Sequence, residues 1–560
     1  MRALRITGCL LWCLCQPVFA SGQPPHLWLQ LAPTMVAGTI EDVAVSLNVE
    51  SPRVAAGETL LTMPITLVST PTAAYSAEQI SASDASGSLP LQSEDLPATP
   101  SGQYRRYYAA RATQGVIKYH YHTAPRVVDA TTRNGPLFDL RRQQQGMMGA
   151  GVYFLALPAG TQPYSIELGW DLSAMPKGSL GVWSGGEHTQ QQIAPAELLR
   201  FSYYAAGLLH RWSDNAAHFS MYWLDKPPFD MQQLPMQTAK FYRYMAQFFG
   251  DQNDYRVFAR SNPYPAGGGT GLAHSFMFGY GSEGQTIAEG VQILLAHEMS
   301  HTWPTLNGDE PHAETAWYTE GTAEYYAIVM SQRAGISSAE ELLRQINLRT
   351  TAYYANPYLH LNNHAAGGLF WKDARAQKVP YGRGFMYFFK LNQQLLQYSQ
   401  GRRSVDDLVL EVYRRQQQGE IIGLAQWREI LKRELGDAAV SDFNAMTQGE
   451  VQVPPATAFH CLQAQPVSYR PFDLGFDEMR LGEVTKLRPD SEAAKVGLQN
   501  GDTILKLTAL DELRRDASKL MVISVSRHGK TLSFHYLPRG PLVAGWQWQF
   551  SPQGPAACHI

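Results

Sequence analysis

Short alternating runs of apolar and polar residues dominate the chain between residues 24 and 215. Residues 43–49 (VAVSLNV) and 116–121 (VIKYHY) are two examples, and glycine, proline and serine separate such runs. Successive side chains of a strand point to opposite faces, so this alternation is typical of half-buried strands. The pattern predicts an antiparallel β domain over residues 24–215, in which the histidines are isolated surface or packing residues.

The hydrophobic spacing becomes helical further along the chain. Residues 216–335 mix strand-like stretches, loops and two helical stretches, whereas residues 336–450 carry mainly helical periodicity. Ser404, for example, is a suitable N-cap for a helical stretch whose first turn is acidic. We therefore expect a mixed α and β domain, followed by an α-helical domain that closes one side of a cleft.

Residues 267–271 (GGGTG) form a glycine-rich stretch within the mixed domain. A phosphate-binding loop would need a following Lys-Ser or Lys-Thr pair, which the sequence lacks. Glycine in a strand allows another backbone to approach closely. The stretch therefore predicts an edge strand or loop beside the cleft, with Gly271 as a candidate substrate-binding residue.

Length and composition describe an ordinary multidomain globular protein. The chain has 560 residues, of which 44% are hydrophobic and 17% are charged, so a single core is not expected. The formal net charge is −3 and the chain has no long basic run. Both features argue against a nucleic-acid partner.

Residues 1–20 have the features of a secretory signal peptide. Arg2 and Arg5 precede a short apolar run, and Val18–Ala20 offers a cleavage site of small residues. The apolar run is too short to span a bilayer, and no later segment is long enough to do so. The sequence predicts export to the periplasm or the outside of the cell, with no transmembrane segment in the mature chain.

One short motif carries the chemistry. Residues 297–301 read HEMSH, so His297 and His301 lie four residues apart and share one helix face. Two such histidines can bind one metal ion, and Glu298 beside them can act as general base on a bound water. Glu320 follows after eighteen intervening residues and supplies a third ligand. Three protein ligands with one open position predict a catalytic site that binds one Zn²⁺ per chain.

The residues around Glu320 favour a second buried helix. Residues 316–326 read AWYTEGTAEYY, and their aromatic and small side chains suit a packed helix that presents Glu320 inward. Glu324 lies four residues later, on the same helical face. A carboxylate near a metal site commonly orients a ligand histidine, so we expect this role for Glu324. The alternative is an exposed glutamate.

Four segments resemble the gluzincin zinc metallopeptidases of the glycyl aminopeptidase type, which carry a C-terminal PDZ domain: 297–303 (HEMSHTW), 317–326 (WYTEGTAEYY), 333–343 (RAGISSAEELL) and 380–385 (PYGRGF). The resemblance implies a multidomain α+β protein with a β-rich N-terminal domain. It also implies a thermolysin-like catalytic domain over residues 216–335 and zinc-dependent hydrolysis of peptides or proteins. Tyr381 matches the family's transition-state tyrosine, whose phenol faces the developing oxyanion.

The chain departs from the family at one substrate-binding position. Residues 271–275 (GLAHS) match a motif whose glutamate binds the free amine of the substrate, but Ala273 stands at that place. Alanine cannot pair with an ammonium group, so strict exopeptidase action is in doubt. His274 either binds substrate or has a structural role. Three other acids could replace the missing glutamate: Glu283, Asp309 and Glu310.

The C-terminal part resembles a PDZ domain. Prolines mark residues 451–469 as a connecting segment, and residues 470–545 contain the succession that resembles bacterial PDZ domains. That resemblance implies a loop at Leu474, Gly475 and Phe476 that captures a peptide carboxylate. The alternative is a PDZ-like fold that binds no ligand and only packs on the catalytic domain.

Cys461 and Cys558 are the only cysteines after residue 20. They flank the PDZ-like region, and such domains bring their chain ends close together. Export to an oxidising compartment would allow the two thiols to pair. We therefore expect a disulfide that closes a loop of about a hundred residues, rather than two separate thiols.

The sequence thus predicts an exported zinc peptidase in which Glu298 activates water. Its action is aminopeptidase-like, but Ala273 leaves the choice between exopeptidase and endopeptidase open. The alternative is a catalytically weak or inactive peptidase fold that binds peptides through the PDZ-like domain. The complete set of ligands, base and tyrosine favours the enzyme.

Overall fold

The computed structural model describes residues 23–558, except for 51–52, 69, 100–101, 131, 133–134, 188, 265–267, 282–287, 371, 459–460 and 479. The predicted signal peptide, residues 1–20, lies outside the described residues. Within the described part of the chain, no helix has both the length and the apolar character needed to cross a membrane.

The N-terminal part is rich in β structure, as the alternating pattern predicts. Its elements are β1 (His26–Val36), β2 (Thr39–Val49), β3 (Thr59–Leu67), β4 (Thr70–Pro71), β5 (Ser81–Asp84), β6 (Gly87–Ser88), β7 (Leu91–Asp95), β8 (Gly102–Ala109), β9 (Ile117–Thr123), β10 (Arg141–Gln143), β11 (Gly146–Ala150), α1 (Gly151–Phe154), β12 (Pro163–Trp170), β13 (Leu180–Trp183), β14 (Gly186–Glu187), β15 (Gln190–Pro195), α2 (Glu197–Arg200) and β16 (Tyr203–Gly207). The strands form sheets ordered β15-β12-β1-β2-β9-β5-β6, β4-β3-β8-β7 and β10-β11-β16-β13-β14.

One pairing in this part departs from the predicted antiparallel arrangement. β1 is antiparallel to β2 but parallel to β12, with His26 opposite Ser165. Parallel neighbours need a long crossover, and here most of the N-terminal part lies between the two strands. The prediction of a purely antiparallel domain is wrong here, because local alternation carries no information about so distant a partner.

A further five-stranded sheet and three helices follow. They are β17 (His210–Asp214), β18 (Phe219–Trp223), α3 (Gln233–Phe249), β19 (Tyr255–Ser261), β20 (Gly268–Leu272), β21 (Ser275–Tyr280), α4 (Ala288–Ser300) and α5 (His312–Arg333). The strand order β17-β18-β19-β21-β20 puts β20 at an edge, as the glycine-rich stretch predicts. β17 pairs with β18 along its length, so this sheet begins before the predicted domain boundary at residue 216.

The helical part packs directly on α5 and contacts α3. Its helices are α6 (Ala339–Tyr354), α7 (Asn363–Leu369), α8 (Ala374–Gln377), α9 (Val379–Ser399), α10 (Val405–Gln417), α11 (Leu424–Leu435) and α12 (Asp437–Thr447). The ring of Trp317 on α5 lies 5.7 Å from that of Phe388 and 6.0 Å from that of Trp427. One buried cluster spans both parts, so the predicted boundary at residues 335 and 336 does not separate two cores.

The C-terminal part begins earlier than predicted. It contains β22 (Thr457–Ala458), β23 (Leu462–Tyr469), α13 (Glu492–Lys495), β24 (Thr503–Leu507), α14 (Leu510–Arg515), β25 (Met521–Arg527), β26 (Lys530–Tyr536) and β27 (Val543–Phe550). β23 lies in the predicted connecting segment and pairs with β27, with Pro466 opposite Trp546. β22 covers only the start of β23, so Pro466 lies on an edge, where proline is tolerated.

Two sets of contacts attach this C-terminal part to the rest of the molecule. Asn347 on α6 exchanges two hydrogen bonds with the backbone of Trp548 on β27, at 2.8 and 2.7 Å. Tyr264, which follows β19, is buried in the same apolar cluster as Leu474 and Phe476. The sheet β24-β25-β26 lies over that cluster.

Candidate metal centre

Helices α4 and α5 bring three potential metal ligands together. His297 lies in α4, His301 directly follows the last residue of α4, and Glu320 lies in α5. The Nε2 atoms of the two histidines are 3.2 Å apart, and they lie 3.3 and 3.6 Å from Oε2 of Glu320. The three donor atoms all fall within 4.8 Å of one another. The spacing of the HEMSH motif and of Glu320 therefore predicts this convergence correctly.

The donor set fits a zinc ion. Zinc–ligand bonds of about 2.0–2.2 Å in tetrahedral geometry require ligand atoms about 3.3–3.5 Å apart, which matches the observed spacing. Oε2 of Glu320 is buried and has no hydrogen-bond partner in the described structure. Burial would raise the pKa of Glu320, but the charges of His301 and His297 hold it at about 2, so the carboxylate is ionised.

A second carboxylate and an arginine orient His297 from the Nδ1 side of its ring. Oε1 of Glu324 lies 3.3 Å from Nδ1 of His297, which leaves Nε2 facing the other ligands. Glu324 is in turn paired with Arg349 on α6. Such an outer carboxylate fixes the tautomer and ring orientation of a ligand histidine. Arg349 is a site residue that the sequence did not reveal, because it lies on another helix and in no motif.

The edge strand β20 runs beside the candidate base. A Cβ atom on Gly271 would lie 3.6 Å from Oε2 of Glu298. Glu298 is next to His297 in sequence, but its carboxylate is not among the three converging donor atoms. A base in this place can reach a water at the open ligand position without being a ligand itself.

Tyr381 reaches the site from α9. Its ring stacks on His297 with a centroid distance of 5.6 Å and an interplanar angle of 5°. Burial and the charge of Glu320 raise the pKa of this phenol well above its usual range, so the hydroxyl remains a proton donor. Nζ of Lys378 lies 4.3 Å from the centre of the same ring. No sequence motif singles out Lys378, although it lies within one helical turn of Tyr381.

Two glycines allow α9 to approach α5 closely enough for this contact. A Cβ atom on Gly384 would lie 1.9 Å from the carbonyl oxygen of Trp317. A Cβ atom on Gly321 would lie 2.5 Å from the Cα of Gly384. These distances are far inside van der Waals contact, so the close crossing of α5 and α9 depends on both glycines.

Charge and burial shift the pKa values of the site. Burial raises the pKa of Glu298 to about 7, against the opposing charge of His297 and with support from Glu320. Burial lowers the pKa of His301 to about 4. It acts in the same direction on His297, but Glu324 and Glu320 outweigh it and raise that pKa to about 10. The negative field that attracts a proton to His297 also favours a divalent cation.

The candidate substrate residue His274 and the neighbouring Ala273 make no recorded contact with the three ligands in the described structure. Ala273 and His274 form the turn between β20 and β21, with φ of 42° at His274. Nδ1 of His274 is buried without a hydrogen-bond partner in the described structure, and burial lowers the pKa of the ring. Among the described residues, no hydrogen bond or ion pair joins this ring to the three ligands.

Among the described residues, no hydrogen bond or ion pair links the proposed replacement acids Asp309 and Glu310 to β20 or to the three ligands. Oε1 of Glu310 accepts a hydrogen bond of 2.7 Å from the backbone N–H of Leu424, at the start of α11. Its other oxygen, Oε2, is buried without a hydrogen-bond partner in the described structure. Asp309 is exposed. Glu283 lies outside the described residues.

The predicted carboxylate loop and disulfide lie in the C-terminal part. The N–H of Gly475 donates to the side chain of Asp473 at 3.0 Å, and the carbonyl of Leu474 accepts from Tyr536 at 2.9 Å. The Gly475 N–H, a donor that a carboxylate pocket would use, is therefore already engaged by Asp473. Cys461 and Cys558 are joined by a disulfide with a Cα–Cα distance of 5.0 Å.

Comparison with known proteins reveals a shared fold. No protein-family model and no curated protein matches the chain. The structure of an aminopeptidase N family protein from Idiomarina loihiensis matches with a TM-score of 0.61 and 14% identity, over 95% of this chain and 99% of that chain. An M1 zinc metallopeptidase from Deinococcus radiodurans matches with a TM-score of 0.45 and 15% identity, over 77% of this chain and 95% of that chain. The first match shows a common architecture along nearly the whole chain, the C-terminal part included.

Proposed function

We propose that the protein is a zinc-dependent peptidase of the gluzincin type. The convergence of His297, His301 and Glu320, with Glu298 beside them, carries this proposal. The shared fold supports it, since the matching Idiomarina loihiensis protein is described as belonging to the aminopeptidase N family.

The chemistry follows from the placement of the side chains. When bound, zinc supplies a Lewis acid and lowers the pKa of a bound water. Glu298 then accepts a proton from the attacking water at its carboxylate and returns it to the nitrogen of the leaving amine. The Tyr381 hydroxyl donates a hydrogen bond to the developing oxyanion. The edge strand β20 lies where the backbone of an extended peptide would pass Glu298.

The proposed substrates are peptides, with less dependence on a free N-terminus than in amine-anchoring relatives. Ala273 offers no charge, and Glu310 is bonded to the start of α11. Ala273 therefore leaves its position on the turn after β20 without a charge that could pair with an ammonium group. Blocked or internal peptide segments should enter the cleft as readily as free N-termini.

Export to the periplasm or the outside of the cell is part of the same proposal. The disulfide between Cys461 and Cys558 supports it, because such bonds persist in oxidising compartments. The C-terminal part is proposed to be PDZ-like. The Gly475–Asp473 hydrogen bond favours a packing role over capture of a peptide carboxylate.

Hydrolysis of a peptide library with free and acetylated N-termini tests this function. The zinc-loaded protein should cleave both forms at similar rates, and a strong chelator should abolish cleavage until zinc is restored. The substitution Ala273→Glu should shift the preference toward free N-termini. Exclusive cleavage of free N-termini would contradict the substrate proposal, and hydrolysis that survives complete zinc removal would contradict the enzyme class.

A further inference from the structure

Two exposed histidines lie side by side on the N-terminal seven-stranded sheet. His120 and His122 are two residues apart on β9, so both point to the outer face, while Tyr119 and Tyr121 point into the core. The sequence predicts isolated histidines in this part of the chain. That prediction is wrong for this pair, whose Nε2 atoms are only 3.2 Å apart.

The neighbouring strand β2 fixes both rings. Ser46 lies directly opposite His120, and its hydroxyl oxygen is 3.1 Å from Nδ1 of that ring. Asp42, further along β2, hydrogen-bonds to Nδ1 of His122 through its carboxylate. Each Nδ1 atom is therefore occupied by a partner on β2. The two Nε2 atoms are left to face each other.

The hydrogen bonds of the two rings determine which kind of ligand their Nε2 atoms can bind. A carboxylate is only an acceptor, so Nδ1 of His122 carries the proton in this contact, and the neutral ring presents a lone pair at Nε2. That lone pair is directed at Nε2 of His120. When Nδ1 of His120 donates to the Ser46 oxygen, Nε2 of His120 presents a lone pair as well, and a cation between the two Nε2 atoms then replaces the hydrogen bond that they otherwise share.

The arrangement reproduces the histidine pair of the zinc centre. The Nε2 atoms are 3.2 Å apart both in His120–His122 and in His297–His301. The ring centroids are 5.0 and 4.8 Å apart, and both pairs have an interplanar angle of 89°. A carboxylate also holds Nδ1 of one ring in each pair: Asp42 for His122 and Glu324 for His297.

We propose that His120 and His122 form a second metal site, separate from the proposed peptidase centre. Their Nε2 atoms chelate one divalent ion that prefers imidazole ligands, and Asp42 orients His122. Cu²⁺ binds such nitrogen ligands more tightly than Zn²⁺. Among the described residues, only His297, His301 and Glu320 bring three donors of this kind together. The second site therefore binds metal more weakly than the first and completes its coordination with water.

Titration of the full-length, untagged protein with Cu²⁺ tests the proposal. The protein is first loaded with zinc at the high-affinity site, and binding is followed by calorimetry and by electron paramagnetic resonance. The wild type should bind one Cu²⁺ per chain with two coordinated nitrogens. His120→Ala and His122→Ala should abolish this binding, and Asp42→Asn should weaken it by about 10- to 100-fold.

His535→Ala is the matched control, because His535 is also an exposed histidine on a strand. This variant should bind Cu²⁺ like the wild type. The proposal is overturned if the wild type binds no Cu²⁺ with nitrogen ligands, or if His120→Ala and His122→Ala bind it as tightly as the wild type. Zinc content and peptide hydrolysis should stay at the wild-type level in all these variants, so the test is independent of the proposed function.

Discussion

Arg349 determines the orientation of His297 without touching it. Its guanidinium pairs with Glu324, and Glu324 lies against Nδ1 of His297. Arg349 on α6 therefore affects the charge of Glu324 and, through it, the ring orientation of His297. Burial raises the pKa of Glu324, but Arg349 and His297 together hold it well below its usual range. The ionised Glu324 accepts the proton on Nδ1 of His297, so Nε2 is the nitrogen left to bind a metal ion.

Arg349→Met should weaken zinc binding by about 10- to 100-fold, because Glu324 loses its counter-charge and no longer fixes the ring of His297. Competition with a chelator measures the dissociation constant directly. Arg344→Met is the matched control on the same helix, since Arg344 pairs with the half-exposed Glu341 away from the site. Unchanged zinc affinity in Arg349→Met would show that this arginine has only a packing role.

At the residue scale, the convergence of His297 and His301 was predictable because helical spacing puts them on one face, and their role as metal ligands stays a prediction. Arg349 was not predictable, because its partner is 25 positions away on another helix. The same limit applies to the pair on β9. The sequence shows two histidines on one strand face, but Asp42 and Ser46 join them only through the register of β2 and β9.

At the scale of elements, the crossing of α5 and α9 brings Tyr381 to the metal ligands. The crossing is close because Gly321 and Gly384 face each other across it. The helical period of both segments was readable from the sequence. The contact between the two helices could not be predicted from the sequence, because it joins residues some sixty positions apart. The predicted boundary at residues 335 and 336 also divided what is a single core.

Gly384→Ala should push α9 away from α5, because the added methyl group would overlap the carbonyl oxygen of Trp317. We expect a loss of about 1–3 kcal/mol in the free energy of unfolding. The displacement of Tyr381 should lower kcat more than it raises KM. Denaturant unfolding and steady-state peptide hydrolysis measure the two effects.

Gly368→Ala is the control for that substitution. Gly368 lies in α7, and a Cβ atom there would meet nothing within 4 Å. Its replacement should leave activity unchanged and raise stability slightly, because alanine is the better helix former. A Gly384→Ala variant with wild-type stability and kcat would contradict the proposed role of the close crossing.

At the scale of the whole molecule, one buried carboxylate joins the N-terminal part to the sheet beside the metal centre. Asp139 is 1% exposed and pairs with Arg260 on β19 at 2.6 Å and with Arg141 at 2.9 Å. Burial would raise its pKa, but the two arginines hold it well below the ordinary value of 3.8. Its contribution to stability is therefore complete above about pH 4 and is lost only in stronger acid.

Asp139→Asn should lower the free energy of unfolding by about 3–5 kcal/mol, because it leaves two buried guanidinium groups without a counter-charge. Denaturant unfolding at neutral pH measures the change. Asp171→Asn, at an exposed position of the N-terminal part, should be nearly neutral. Equal stability of the two variants would mean that Asp139 does not hold the two parts together.

Zinc content and turnover of Glu298→Gln and Glu320→Ala, measured side by side, test the central claim most directly. Glu298 lies beside the ligands without being one, so Glu298→Gln should keep the zinc of the wild type and lose about 10²–10⁴-fold in turnover. Glu320→Ala should bind one zinc fewer per chain and be inactive. Wild-type turnover in Glu298→Gln, or full zinc occupancy in Glu320→Ala, would contradict the assignment of this site.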